Sequence, residues 1–195
     1  MKLIDFKILI FFFIIMFFFG TAFTYACRSV KPSTSAMVQN AEVIVRAEAG
    51  SYIKEPKGEI RALYEPGEAT INFKVKEVLK GDSVPTEIIL NGYLSDVNDF
   101  NDRKIPYDFV RSGGRGGSCS AYEYKKGAEF LLFLKKTGEK YTVRWYALAP
   151  TNEQLHSSDD EWITWVRNYL KDAKEKARAK NNGTIEQSIN ARRKQ

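Results

Sequence analysis

Apolar and polar positions along the chain change period several times, and each change marks a predicted element. Ile8 to Phe19 is an unbroken apolar run near the N-terminus. Residues 41–49, Ala-Glu-Val-Ile-Val-Arg-Ala-Glu-Ala, are rich in β-branched side chains with polar groups on alternate positions, which predicts a strand. From Ala69 to Leu79, Ile71, Phe73 and Val75 alternate with Asn72, Lys74 and Lys76, ending at Lys80-Gly81-Asp82. A short strand, Glu87 to Leu90, follows Pro85. Phe130 to Leu134 is continuously apolar between Gly127 and Gly138, the pattern of a short strand buried on both faces. Tyr141 to Tyr146 is placed to pair with it as a hairpin across residues 135–140. The period then becomes helical. Ser158-Asp159-Asp160-Glu161 has the form of a capping box, and Trp162, Val166, Tyr169, Leu170 and Ala173 follow at helical spacing, predicting a helix to about Lys180.

The stretches between these elements are polar and punctuated. Residues 28–40 carry Pro32 and a Ser/Thr cluster with no helical period, and read as extended chain. Residues 50–67 read as a loop or irregular hairpin tip, punctuated by Pro56, Gly58, Pro66 and Gly67. Asp96 to Ser118 gathers Asp96, Asp99, Asp102, Asp108 and four glycines (113, 114, 116, 117), and reads as a mobile surface loop. Its acidic spacing fails the calcium-loop pattern, because Phe100 stands where a ligand is needed. Its glycine stretch lacks the Lys-Ser/Thr of a phosphate loop. The sum is a mainly β fold in one domain: five strands and a C-terminal helix. A five-stranded antiparallel barrel of the OB type fits that count, with a sandwich as the alternative.

The N-terminal run changes the picture of where the protein works. Lys2 and Lys7 precede 12 apolar residues, and Gly20 to Ala26 follow as a short region ending in small residues. That is the layout of a cleaved signal peptide over residues 1–26. A spanning helix needs about 20 apolar residues, so the run is short for a permanent anchor. The expected location is secreted, with no membrane span after cleavage. The alternatives are an uncleaved anchor, or a periplasmic or surface protein held by a lipid on Cys27. Removing Lys2, Lys7 and Asp5 lowers the formal charge of +6 by one. Much of the remaining excess lies near the C-terminus, in Lys171 to Lys180 and in Arg192-Arg193-Lys194, where it forms a solvated tail or touches polyanions or anionic lipid. No aromatics interleave with these charges, so nucleic acid is not an expected partner. The predicted organisation is a domain over residues 27–180 and a basic, disordered tail over 181–195. Asn182-Gly183-Thr184 has the form of a glycosylation acceptor.

Two cysteines remain, Cys27 and Cys119. In an oxidising compartment two lone cysteines most simply pair, the alternatives being free thiols or a bridge between chains. The single histidine, His156, sits at the loop-to-helix junction and reads as a cap or surface residue. No histidine or carboxylate cluster has metal-ligand spacing, and Asp159-Asp160 is explained by the helix dipole. A binding role, without catalytic residues or a cofactor, is expected rather than an enzyme.

The segment Cys27-Arg28-Ser29-Val30, followed by Asn40-Ala41-Glu42-Val43-Ile44-Val45-Arg46-Ala47, resembles the start of the tissue inhibitors of metalloproteinases. Phe73 to Gly81, Cys119, and Gly127-Ala128-Glu129-Phe130-Leu131-Leu132 extend the resemblance, which covers roughly residues 27–170 and the netrin-like OB domain of that family. It implies that the amine and carbonyl of Cys27 chelate the zinc of a target metalloprotease, at the open position a catalytic zinc keeps. Cys119 would anchor Cys27 through a disulfide, and Arg28, Ser29 and Val30 would contact the protease. Ser29 and Gln39 stand where the family has further cysteines, and Arg28 where it has a small residue. The implied protein is a monomeric inhibitor with no metal of its own.

Overall fold

The computed structural model describes residues 33–57, 69–106, 111, 122–143, 145–146, 149–150 and 152–192. The first element is a helix, α1 (Thr34–Asn40). Ser33 caps it, its side chain accepting the Ala36 N–H at 3.2 Å. The Ser/Thr cluster that reads as extended chain is therefore a helix start. At seven residues α1 is too short to display a period, and the burial of Met37 and Val38 holds it in place.

The sheet follows from the long strands. β1 (Val43–Lys54), β2 (Thr70–Lys80), β3 (Glu87–Asn91), β6 (Glu129–Thr137), β7 (Lys140–Val143) and β10 (Asn152–Gln154) form one six-stranded sheet. Its hydrogen-bonded order is β10-β6-β1-β2-β3, with β7 also pairing β6. All of these pairs are antiparallel. Val43 lies opposite Leu134 and Ala47 opposite Phe130, so the two most apolar strands are neighbours at the centre.

Both faces of that centre are covered. On one face Val43, Val45, Ala47, Ile71, Phe73, Ile88, Leu90, Phe130, Leu132 and Leu134 form the larger cluster. On the other, Ile44, Leu131 and Phe133 pack against Met37 and Val38 of α1 and against Trp162, Ile163 and Val166 of α2 (Glu161–Arg192). The continuous run Phe130–Leu134 is buried on both sides for this reason. Residues 161–170 of α2 supply the apolar stripe. Every residue from Lys171 to Asn182 is exposed. The helix continues past Lys180 to Arg192, into the stretch expected to be a disordered tail. No helix among the described residues is long and apolar enough to cross a membrane.

Among the described residues the sheet is not a closed OB-type barrel, and there are two helices rather than one. Among the described residues no pairing joins the β3 edge to the β7 edge. Ile88, Leu90 and Tyr141 share the core cluster, yet a cleft of about 790 Å³, lined in part by Ile88, Ile89, Tyr122 and Val143, lies between the strands. The chain leaves the sheet at Gly92. There a Cβ would stand 2.7 Å from the Tyr124 ring and 2.8 Å from the Tyr122 carbonyl oxygen, so only glycine admits the approach. β4 (Tyr93–Ser95) then pairs in parallel with β5 (Glu123–Lys125) instead of prolonging β3. A two-stranded ribbon of β8 (Trp145–Tyr146) and β9 (Ala149–Pro150) completes the elements. The resemblance to the metalloproteinase inhibitors is corrected on this ground, since the barrel it implies is absent. The disulfide expected between Cys27 and Cys119 falls on residues outside the described set. The described core is held by strand pairing and two apolar clusters, with no disulfide among the described residues, and the bridge is not kept as part of the fold.

Candidate functional site

The loop expected to be mobile is, over its first half, a strap bound to β10. Gln154 accepts the Asp99 N–H at 2.7 Å through Oε1 and donates from Nε2 to Asn98 Oδ1 at 2.7 Å. Asn101 donates to Glu153 Oε1 at 3.0 Å. Phe100 pairs in parallel with Gln154. Side-chain bonds thus do the work of a missing strand, which a sequence pattern of polar residues does not reveal.

Beneath the strap is Arg111, 1 % exposed. Its Nη1 donates to the Glu123 carbonyl at 2.6 Å and lies 3.4 Å from Asp99 Oδ2. Its guanidinium carbon stands 4.9 Å from the Tyr124 ring centre and 5.3 Å from that of Phe130. Burial raises the Tyr124 phenol above its ordinary value, against the pull of Arg111. Burial also pushes Tyr122 up to about 12, with Tyr124 adding to it.

The strap holds Phe100 against His156, the two rings stacking at 3.8 Å with 13° between planes. Asp160 fixes the imidazole from the other side. Its Oδ2 accepts from the His156 backbone N–H at 2.9 Å and contacts Nδ1 at 2.8 Å, while Oδ1 accepts the Trp162 N–H at 2.9 Å. The cap of α2 is therefore Asp160, two residues later than Ser158 of the expected capping box. A carboxylate only accepts, so Nδ1 is the donor in this contact, and in the neutral tautomer it selects Nε2 is an acceptor. His156 is the cap-side residue that its position suggests, with a side chain 61 % exposed.

These groups edge a cleft of about 550 Å³ whose opposite wall is the β5–β6 turn, with Lys125, Lys126 and Glu129. The turn is fixed at Gly127, with φ of 76°, whose N–H donates to the Ala49 carbonyl at 2.7 Å. Glu129 reaches away to Arg46 Nη1 at 2.7 Å. Arg46 also holds Glu77, which Arg167 of α2 grips through two nitrogens at 3.1 and 2.6 Å. The hydrogen bonds from Arg167 lower the Glu77 carboxyl below its usual range, with burial opposing and Arg46 assisting. This chain of charges bolts the packed part of α2 to β1, β2 and β6.

The sequence-derived site residues divide sharply. Cys27, Arg28, Ser29, Val30 and Cys119 lie outside the described residues, so the chelating terminus and its anchor have no described geometry. His156, Asp99 and Asp160, which the sequence offers only as a cap or surface residue, a loop residue and a helix-dipole residue, lie around the strap and the head of α2. Arg111, Phe100 and Gln154 were not legible as site residues, because nothing local in the sequence marks a buried arginine or a strap contact. Among the described residues no group of three or more histidine, cysteine or carboxylate side chains is arranged to hold a metal. No known protein family and no curated protein matches this chain.

A second surface lies on the exposed length of α2. Lys171, Lys174 and Arg178 recur at helical spacing on one side, and Lys176 and Lys180 on another. Asp172 and Glu175 are the acidic residues between Lys171 and Asn182. The apolar side chains in that stretch are alanines, so it offers no face for insertion into lipid.

Proposed function

We propose that this chain is an exported, non-catalytic binding module that holds a soluble polyanion, such as an acidic polysaccharide, through the exposed basic length of α2. The observation that carries it is the change at Leu170. Up to that residue α2 is packed, and beyond it Lys171, Lys174, Lys176 and Arg178 stand in solvent against Asp172 and Glu175. A helix polar on all sides gains nothing from the core, and its charge is available to a partner. The Lys2, Lys7 and Ile8–Phe19 leader supports export. The lack of an apolar side favours a soluble polyanion over a lipid surface. The zinc-chelation reading of Cys27 was carried by the family resemblance, and the open sheet removes that warrant.

The test is retention of the mature chain on an immobilised sulfated polysaccharide. Elution is expected above physiological salt, about 0.15 M. The double charge reversal Lys174→Glu, Arg178→Glu is expected to bring the protein into the flow-through with an unchanged urea midpoint. Retention indifferent to the reversal would overturn the proposal, as would equal affinity for anionic lipid vesicles. So would inhibition of a zinc metalloprotease that N-terminal acetylation abolishes, in favour of the Cys27 mechanism.

A further inference from the structure

The cleft at the head of α2 has a chemistry the basic helix does not share. One wall carries Lys125 and Lys126, neither with an ion-pair partner among the described residues, on a turn tied to β1. The other carries His156, its ring flat on Phe100 and its proton committed to Asp160. Nε2 is left as an acceptor. Glu129 also lines the cleft, but its carboxylate is engaged by Arg46 through Oε2. Ser157 and Ser158 add hydroxyls, which accept or donate. The cleft thus presents two cations for one anionic group, acceptors for hydroxyl protons, and an aromatic ledge.

From this set we infer that the cleft binds a hydroxylated ring bearing a carboxylate, the chemistry of a uronic acid. Each simpler ligand leaves part of the set unmatched. Inorganic sulfate meets the lysines but offers no proton to Nε2. A neutral hexose donates to that acceptor but leaves both lysines without a counter-charge. A uronate satisfies both and lays the face of its ring on the exposed side of the imidazole. The volume, about 550 Å³, falls in the ~300–1,000 Å³ range of small-molecule sites and admits more than one sugar unit. The wall is built before the ligand arrives, because the strap bonds of Gln154 and the Asp160 cap already fix Phe100 and His156. The inference goes beyond the polyanion reading of α2 and uses none of its residues.

Titration calorimetry of the full mature chain with glucuronate, glucose and inorganic sulfate tests it. Glucuronate is expected to bind at least tenfold more tightly than either comparator. The pair Lys125→Ala, Lys126→Ala removes side chains at the end of β5 and on the turn after it, and is expected to weaken glucuronate at least tenfold with an unchanged melting temperature. Phe100→Leu is expected to weaken glucuronate and glucose alike. Equal binding of all three compounds, no saturation by glucuronate, or indifference to the lysine pair would overturn the site. Lys174→Glu with Arg178→Glu keeps the two proposals apart, since it is expected to abolish polysaccharide retention and leave glucuronate binding unaltered. A loss of both would overturn the cleft as a separate site.

Discussion

The two parts of α2 are one continuous helix held by different physics. From Glu161 to Leu170 the helix is a wall of the core: Trp162, Ile163 and Val166 are buried, Asp160 caps it, and Arg167 bolts it to Glu77. From Lys171 to Asn182 every residue is exposed, and helix propensity with the hydrogen-bond ladder is what remains. Position along the same helix therefore decides whether a substitution acts on the fold or on a partner.

That contrast predicts a graded series. Trp162→Ala empties a buried site against Ile44 and Phe133, and is expected to cost about 3–5 kcal/mol in urea unfolding. Glu77→Gln leaves two arginines with a weakened acceptor, at a cost of about 1–2 kcal/mol near neutral pH. The Glu77 carboxyl is lowered in the fold, so its contribution is present above its ordinary value of 4.5 and is lost as pH falls through the folded value. The gap between wild type and Glu77→Gln, followed by urea midpoints, is expected to narrow in acid. Ala177→Gly on the exposed length is expected to lower helix content by circular dichroism, at a local cost of about 1 kcal/mol, with the global midpoint unmoved. A global shift from Ala177→Gly as large as that from Trp162→Ala would erase the distinction.

What the sequence disclosed follows the same divide. The runs that bury themselves were legible: Phe130–Leu134 as a two-faced strand, Ile71–Phe73–Val75 as an alternating one, and the start of α2 near Asp160. A period exists only where a repeated contact enforces it. α1 was missed because seven residues make barely two turns and its apolar contacts are Met37 and Val38 alone. The open edge was missed because nothing local to Gly92 marks its role. Its actual constraint is the close approach of Tyr122 and Tyr124, some thirty residues later. The cleft was hidden for a related reason. His156 was visible as a lone residue, but Phe100 stacks on it, and Gln154 and Lys125 join it around the cleft, through an arrangement that no local spacing encodes. The leader, the Cys27 terminus and Cys119 fall outside the described residues, and the resemblance built on them led to a barrel the strands do not make.

The bare length of α2 has one more consequence, for turnover. Proteases that cut after lysine or arginine need an unwound segment, and a helix end without packing opens at little cost. Cleavage near Lys171 would remove most of the exposed basic charge while leaving Trp162, the Asp160 cap and the cleft intact. On the proposed polyanion binding, a single cut would free the domain from its partner without unfolding it, making the life of the attachment shorter than the life of the protein.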